Sequence, residues 1–185
     1  MAWTAPRTWA TGETITAALL NTHVRDNELS LRGMHDKAVY VLLDATDVTI
    51  ANSTVEPGTV VPWQAAWWNI GGMWSSAANP SRITPGEVGY YSAAGIVVLA
   101  DNTSGTRAGA LWRDGTTNAK SIFKVAGLDA GMLNQTIPWH WELFVSATTQ
   151  YWELYLRQNT GAALDLRSRT IPGLTQMTFR LLGST

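Results

Sequence analysis

The stretch Arg82-Ile83-Thr84-Pro85-Gly86-Glu87-Val88-Gly89-Tyr90-Tyr91 carries the most specific structural information in the sequence. Pro85 and Gly86 end one strand, because proline lacks a backbone N–H and glycine weakens a strand interior. Gly89 permits close backbone approach at the start of the next strand. Successive side chains of a strand point to opposite faces, so Tyr90 and Tyr91 divide between them. The stretch predicts a turn followed by a strand, with one tyrosine in the core and the other at a subunit contact.

Short apolar and β-branched runs continue outward from this stretch, separated by Gly, Pro, Asn and Asp. Clear turn sequences include Glu56-Pro57-Gly58, Asp114-Gly115 and Pro172-Gly173. Many short strands with regular turns are typical of a β-sandwich or barrel. The predicted strands are 39–44, 60–68, 89–100, 108–113, 119–125, 132–146, 151–158, 164–169 and 177–182.

The block 82–91, with the aromatic-rich stretch 61–74 before it, resembles the opening strands of the complement-type globular head. That head is a TNF-like jelly roll, here in the form found in phage and bacterial virion-associated proteins. Arg113-Asp114-Gly115 is similar to a turn of the family, and 177–183 to its closing strand. The resemblance implies a mainly β jelly-roll sandwich over residues 37–185 and tight trimers. Thr148-Thr149-Gln150-Tyr151 stands where relatives often have a Gly-Asp turn, so no calcium site is carried over.

Two predicted strands have aromatic or aliphatic residues at nearly every position, over 139–145 and 151–157. Such strands need cover on both faces, whereas a single sandwich has one interior. We therefore predict that a second surface is buried in a closed homo-oligomer, which the resemblance makes a trimer. Cover by the N-terminal helix or by a long loop is the alternative. The predicted subunit-interface or core aromatics are Tyr90, Tyr91, Trp139, Trp141, Trp152 and Tyr155.

Residues 1–36 are predicted to form an N-terminal arm and an α-helix over 13–31, with Thr11 as its N-cap. Arg25 and Asp26 interrupt the apolar stripe of this helix, so it needs a partner surface. Two indoles in the arm favour insertion into a neighbouring subunit or a larger assembly. A frayed arm, and a helix packed on its own domain, are the alternatives. The predicted docking residues are Trp3, Trp9, Ile15 and Leu19.

The segments 8–13 and 16–27 are similar to the leader of many tailed-phage and prophage structural proteins. In those proteins the leader precedes variable β-rich modules. The resemblance implies an attachment element followed by an exposed head, in a virion protein made in the bacterial cytoplasm. Neither a membrane-spanning run of roughly 18 apolar residues nor a secretory signal is recognisable, so membrane insertion and export are not predicted.

The charge balance excludes several classes of function. The chain has 185 residues with 13 basic and 14 acidic side chains, giving a formal net charge of -1. A near-neutral chain has no broad positive field for nucleic acid or anionic membranes. It contains no cysteine, which excludes disulfides, thiolate metal sites and a cysteine nucleophile.

The sequence predicts no enzyme active site, cofactor site or metal site. His23, His35 and His140 have no neighbours at metal-ligand spacing, and no glycine-rich loop leads into a helix with a lysine. Glu142 and Glu153 are predicted to be exposed or salt-bridged, with Arg157 or Arg167 as possible partners, rather than a catalytic pair.

Three tryptophans near Gly71-Gly72 form a candidate ligand loop, because indoles stack on sugar rings. They are Trp67, Trp68 and Trp74. Packing in the core or at an interface is the alternative for each.

The leading hypothesis is a non-enzymatic phage virion protein, a trimeric tail-fibre or tail-tip adhesion module that docks through its N-terminus. Its partners would be copies of itself, other virion proteins and a host-surface glycan or protein. A capsid decoration protein that stabilises the shell is the alternative, favoured by small size and by the lack of a visible fibre shaft. A glycan-cleaving tailspike is a third hypothesis.

Overall fold

A computed structural model describes residues 7–25, 27, 37–53, 55, 57–115, 117–126, 134–168 and 174–184 of the chain. Trp3 and His35 lie outside these ranges. A short helix, α1 (Ala17–Leu20), continues as a π-helical turn over Asn21–Arg25. Twelve strands then make two antiparallel sheets within the described part of the chain.

The prediction of Thr11 as N-cap is wrong. Gly12 lies at φ +80°, in a turn closed by a bond from Glu13 N to Ala10 O (3.1 Å), so the helix begins later. Thr16 is the N-cap, with its Oγ1 accepting from Leu19 N at 3.3 Å. The remainder of the predicted helix, beyond residue 27, falls outside the described residues.

The strands alternate between the two sheets along much of the chain. Their bounds are β1 Ala38–Leu42, β2 Val48–Ile50, β3 Thr59–Val60, β4 Ala65–Ile70, β5 Arg82–Ile83, β6 Gly89–Ala100, β7 Thr106–Arg113, β8 Thr117–Ala126, β9 Asn134–Val145, β10 Trp152–Gln158, β11 Leu164–Leu166 and β12 Gln176–Ser184.

The first sheet is built around the long strand β6. One edge of β6 pairs with β9 along its whole length, and the other pairs with β12 and, at Leu99, with β11. The sheet continues from β12 to β1 and β4, while β2 pairs with β11. The second sheet has the order β3-β10-β7-β8, and β5 also pairs with β10.

The two sheets face each other across one core. Val41, Tyr91 and Phe179 contribute from the first sheet, and Leu111 and Leu154 from the second. Buried residues alternate with more exposed ones along much of β6, β7 and β9, as expected for strands of a two-layer sandwich. The described residues therefore form the predicted β-sandwich.

One predicted strand, 60–68, is two strands in different sheets. β3 ends at Val60 in the second sheet, and β4 begins at Ala65 in the first. Val61 N still donates to Leu154 O (2.9 Å), whereas Gln64 N donates to Leu42 O (3.0 Å). Pro62 lies at this crossing, where it needs no ladder partner.

The prediction that β9 and β10 are apolar on both faces is wrong, because polar side chains occupy several outward positions of both strands. In β9, Trp139 and Leu143 point inward, whereas His140 and Glu142 point outward and are accessible to solvent. In β10, Leu154 and Leu156 belong to the core, and the outward positions are Glu153, Tyr155 and Arg157. Any second apolar surface must therefore come from particular outward residues and not from whole strands.

Candidate functional site

The outer face of the first sheet carries an unusual set of exposed aromatic side chains. Neighbouring strands place Trp68, Tyr40, Thr178, Ala94 and His140 in one row across β4, β1, β12, β6 and β9. Because paired residues share a face, all five point away from the core. We call this surface the outer face.

An aromatic cluster of Tyr40, Trp67 and Trp68 lies at the β4 side of the outer face. Tyr40 stacks parallel to Trp67 and lies tilted against Trp68, with both ring centroids 4.8 Å away. A register shift between Tyr40 and Val41 lets both indoles reach the same tyrosine. The indoles cover Tyr40 and remain 56% and 43% exposed themselves. Burial also raises the pKa of Tyr40.

A second aromatic pair lies at the β6 and β9 side of the outer face. Tyr90 and Phe144 are directly opposite in the ladder, with ring centroids 4.9 Å apart. They are 57% and 41% exposed. The face between this pair and the Trp67 cluster contains the short side chains of Ser92, Ala94 and Thr178, together with the exposed charged side chains of Arg180 and Glu142.

The four exposed rings leave a substantial apolar area in water. An aromatic side chain can bury roughly 150–250 Å², so four rings about half exposed leave on the order of 400 Å². At about 25 cal/mol per Å², covering them would contribute about 10 kcal/mol per chain before the costs of association. This area is divided between the two aromatic groups, and its total is comparable to the largest apolar patch of a typical monomeric protein.

The six predicted interface or core aromatics separate into different environments. Tyr91, Trp139 and Trp152 belong to the core between the sheets, and Trp141 is partly buried against it. Tyr90 lies on the outer face. Sequence reasoning missed Tyr40 and Phe144, although the alternation of Tyr40 with the buried Val39 and Val41 could have indicated its outward direction.

Tyr155 lies on the opposite side of the molecule, on the outward side of β10. It packs on Trp112 with ring centroids 5.7 Å apart and donates from its hydroxyl to Glu153 Oε2 at 3.1 Å. Burial, followed by the nearby Glu153 carboxylate, raises the pKa of Tyr155 to about 12.

The three tryptophans of the predicted ligand loop do not form one site. Trp67 and Trp68 lie in strand β4, on the outer face. Trp74 instead borders a pocket of about 390 Å³ that is also lined by Asn79, Arg82 and Tyr151. The guanidinium carbon of Arg82 lies 4.0 Å from the centre of the Tyr151 ring.

The two glutamates considered as a pair are on different sheets. Glu142 is on the outer face, paired with Ser92 across the β6–β9 ladder. Glu153 is almost fully buried on the other sheet, where Arg82 Nε contacts it at 3.4 Å. Arg167 contacts Asp47 at 2.8 Å. These carboxylates form no catalytic pair with each other.

The predicted docking residues of the N-terminus that are described are accessible to solvent. Trp9 and Ile15 are exposed, and Leu19 is partly so. No side chain of α1 or the following π-helical turn is buried. The Trp9 ring packs against the His23 ring edge-on, at 6.2 Å. The docking role itself stays a prediction.

Titratable side chains are dispersed. Within the described ranges, no group of three or more His, Cys, Asp or Glu side chains could hold a metal ion. The Nε2 atom of His140 lies at hydrogen-bond distance from the hydroxyl of Ser92 (3.0 Å). No helix among the residues with a described position is long and apolar enough to cross a bilayer.

No family model and no curated protein matches this sequence. Solved structures do match its fold. The Eiger TNF of S. frugiperda is 11% identical, with a TM-score of 0.50 over 80% of this chain and 94% of its own. Murine APRIL, in a crystal structure at pH 5.0, is 16% identical, with a TM-score of 0.54 over 79% and 98%. These similarities confirm the predicted mainly β, TNF-like jelly roll.

Proposed function

We propose that the chain is a non-enzymatic structural protein of a tailed-phage virion, whose jelly-roll head assembles as a homotrimer. We further propose that it acts as a tail-fibre or tail-tip adhesion module. The observation that carries the proposal is the outer face with its two exposed aromatic groups, Trp67 with Trp68 and Tyr90 with Phe144.

Self-association is the simplest way to cover these rings. They lie at opposite sides of one face, with short side chains and the charged Arg180 and Glu142 between them, so a copy of the chain could contact one group while its other neighbour contacts the second. A cyclic assembly uses two different patches on each subunit in this manner. The complement-type head that the sequence resembles forms trimers, which supports three copies.

The N-terminal segment supports attachment to a larger particle. Trp9 and Ile15, which precede α1, and Leu20 and Val24, which lie on the helical segment, are exposed apolar side chains, and no residue of that segment is buried. A single helix of this length is not stable by itself in water. The resemblance of 8–13 and 16–27 to phage leaders identifies a virion protein as the proposed partner.

The mass in solution tests the assembly. Light scattering on the purified full chain at micromolar concentration should give three times the chain mass of 20.2 kDa. A monomer mass would contradict the proposed interface.

The position on the particle tests the role. Antibody or gold labelling of virions that contain the protein should mark the tail, and purified protein should bind host cells and compete with infection. Label on the capsid would contradict the adhesion module and support a decoration protein. Release of products from host polysaccharide would support the glycan-cleaving tailspike instead.

A further inference from the structure

The pocket beside Trp74 is formed by two separate loops and a strand end. Trp74, Ser75 and Asn79 come from the loop between β4 and β5, Arg82 begins β5, and Thr149 and Tyr151 precede β10. The pocket, at about 390 Å³, is large enough for one monosaccharide, since ligand pockets run from about 300 Å³ upward.

Hydrogen bonds hold the β4–β5 loop in place without a ligand. Asn69 donates from its side chain to Trp74 O (2.6 Å) and accepts from Trp74 N (3.2 Å). The Trp74 indole N–H donates to Pro80 O at 2.8 Å, and Thr84 N donates to Met73 O at 2.8 Å. A preformed loop loses little conformational entropy when a ligand binds.

The second loop is held in a similar way. Ser146 N donates to Gln150 Oε1 at 2.8 Å, and Gln150 Nε2 donates to Ser146 Oγ at 3.1 Å. Tyr151 N donates to Asp114 Oδ1 at 3.1 Å. These bonds hold the backbone of Tyr151, whose ring lies against the Arg82 guanidinium.

Arg82 is the cationic side chain of the pocket and would select for an acidic group on the ligand. Its Nε contacts Glu153 Oε1, which also accepts from Ser81 Oγ at 2.7 Å. Within the described residues, Arg82 Nη1 and Nη2 donate no hydrogen bond, and the side chain is 39% exposed. Two parallel N–H groups of an arginine match the two oxygens of a carboxylate.

We propose that this pocket binds a saccharide that carries a carboxylate, with the acid group on Arg82 and the sugar ring against Trp74. Ser75, Asn79 and Thr149 supply polar side chains for the hydroxyl groups, a combination typical of small-molecule sites. This proposal rests on the adhesion role above, for which it specifies the ligand class. It does not require the trimer.

Saturation-transfer NMR on the full chain tests the site with three small probes. D-Glucuronic acid contains both ring and carboxylate, methyl β-D-glucoside contains the ring alone, and acetate the carboxylate alone. We expect the strongest transfer and the tightest binding for glucuronic acid. Equal binding of acetate would overturn the saccharide assignment, and equal binding of the glucoside would overturn the role of Arg82.

Matched variants test the contribution of Arg82. Arg82→Gln should weaken glucuronic acid binding by about tenfold or more, because a hydrogen bond to a charged group is lost, while Arg82→Lys should fall between. Arg157→Gln removes the same charge from β10 away from the pocket and should bind like the wild type. Melting temperatures would verify that each variant is folded, and unchanged binding by folded Arg82→Gln would overturn the proposal.

The outcomes separate this proposal from the proposed function. A trimer that binds no glucuronic acid would overturn the saccharide site alone. A monomer that binds it through Arg82 would support the site and contradict the assembly.

Discussion

At the scale of single residues, Arg107 is a buried cation at the start of β7. Its Nη1 donates to Ser104 O at 3.0 Å, and its Nη2 donates to Asn102 O. Desolvation lowers the pKa of Arg107, and the charge of Asp101 acts in the opposite direction. The Arg107 side chain thus holds the turn between β6 and β7 against the start of β7.

Arg107→Lys should reduce the stability of the head. A lysine keeps the charge, but it lacks the planar fork that reaches both carbonyl oxygens. We expect a loss of about 1–3 kcal/mol in the free energy of unfolding, measured by urea denaturation. Arg157→Lys, at a partly exposed position, serves as the control and should change the midpoint little. An unchanged midpoint for Arg107→Lys would contradict the role of these two bonds.

Tyr155 predicts how stability depends on alkaline pH. Its folded-state pKa of about 12 is above the ordinary value of 10.0, so its contribution to stability is complete below pH 10 and is lost as the pH rises toward 12. Desolvation of the phenolate is the main cause, and repulsion from Glu153 adds to it. Tyr155→Phe should flatten the fall in unfolding free energy between pH 10 and 12, as measured by denaturation at several pH values. An identical slope in wild type and variant would contradict this assignment.

At the scale of strands and helices, local signals were sufficient for some elements. The predicted strand 89–100 matches β6, because Gly89 begins it and a turn at 102–105 follows it. The helix start was wrong because Thr11 is as good a cap chemically as Thr16, and only the turn at Gly12 distinguishes them. β2 and β5, with three and two residues, were too short to give a periodic pattern.

The outer face and the pocket beside Trp74 were harder to predict from the sequence than the strands. Tyr90 and Tyr91 are chemically alike, and only pairing with β9 and β12 shows which of them enters the core. Trp67 and Trp68 both reach Tyr40 through a register shift that alternation does not anticipate. The Arg82–Tyr151 contact joins residues 69 positions apart in sequence, because β5 pairs with the first two residues of β10.

Gly95 shows how closely three strands approach in the centre of the first sheet. A Cβ atom at this position would lie 2.3 Å from Gln176 O on β12 and 2.9 Å from the Trp139 ring on β9. Neither neighbour can withdraw easily, since one is backbone and the other is a core indole.

Gly95→Ala should therefore destabilise the fold by about 1–3 kcal/mol, the usual cost of overpacking. Thermal melting followed by circular dichroism would measure the effect. Gly161→Ala is a comparison at a position with open space, although its φ of +94° adds backbone strain. A Gly95→Ala melting temperature equal to that of the wild type would show that β12 or Trp139 can move aside.

At the scale of the whole molecule, the two faces of the sandwich differ in chemistry. The outward side of β10 contains Glu153, Tyr155 and Arg157, where the buried Glu153 carboxylate accepts hydrogen bonds from Ser81 and Tyr155 of the same chain. The outer face of the first sheet instead has two exposed aromatic groups, and Arg180, Glu142 and the Ser92–His140 contact lie between them. This difference favours the outer face as the place where copies of the chain meet.

The last prediction distinguishes which part of the outer face makes the contact. Phe144→Asp and Trp68→Asp each put a charge on one aromatic group without entering the core, so the fold should survive while a buried interface loses several kcal/mol. If both groups are buried between copies, each variant should give a monomer mass by light scattering at micromolar concentration. Val55→Asp, at an exposed apolar residue between β2 and β3, should keep the wild-type mass. Trimers formed by both outer-face variants would exclude this face as the interface, whereas loss of assembly in one alone would locate the contact at that aromatic group.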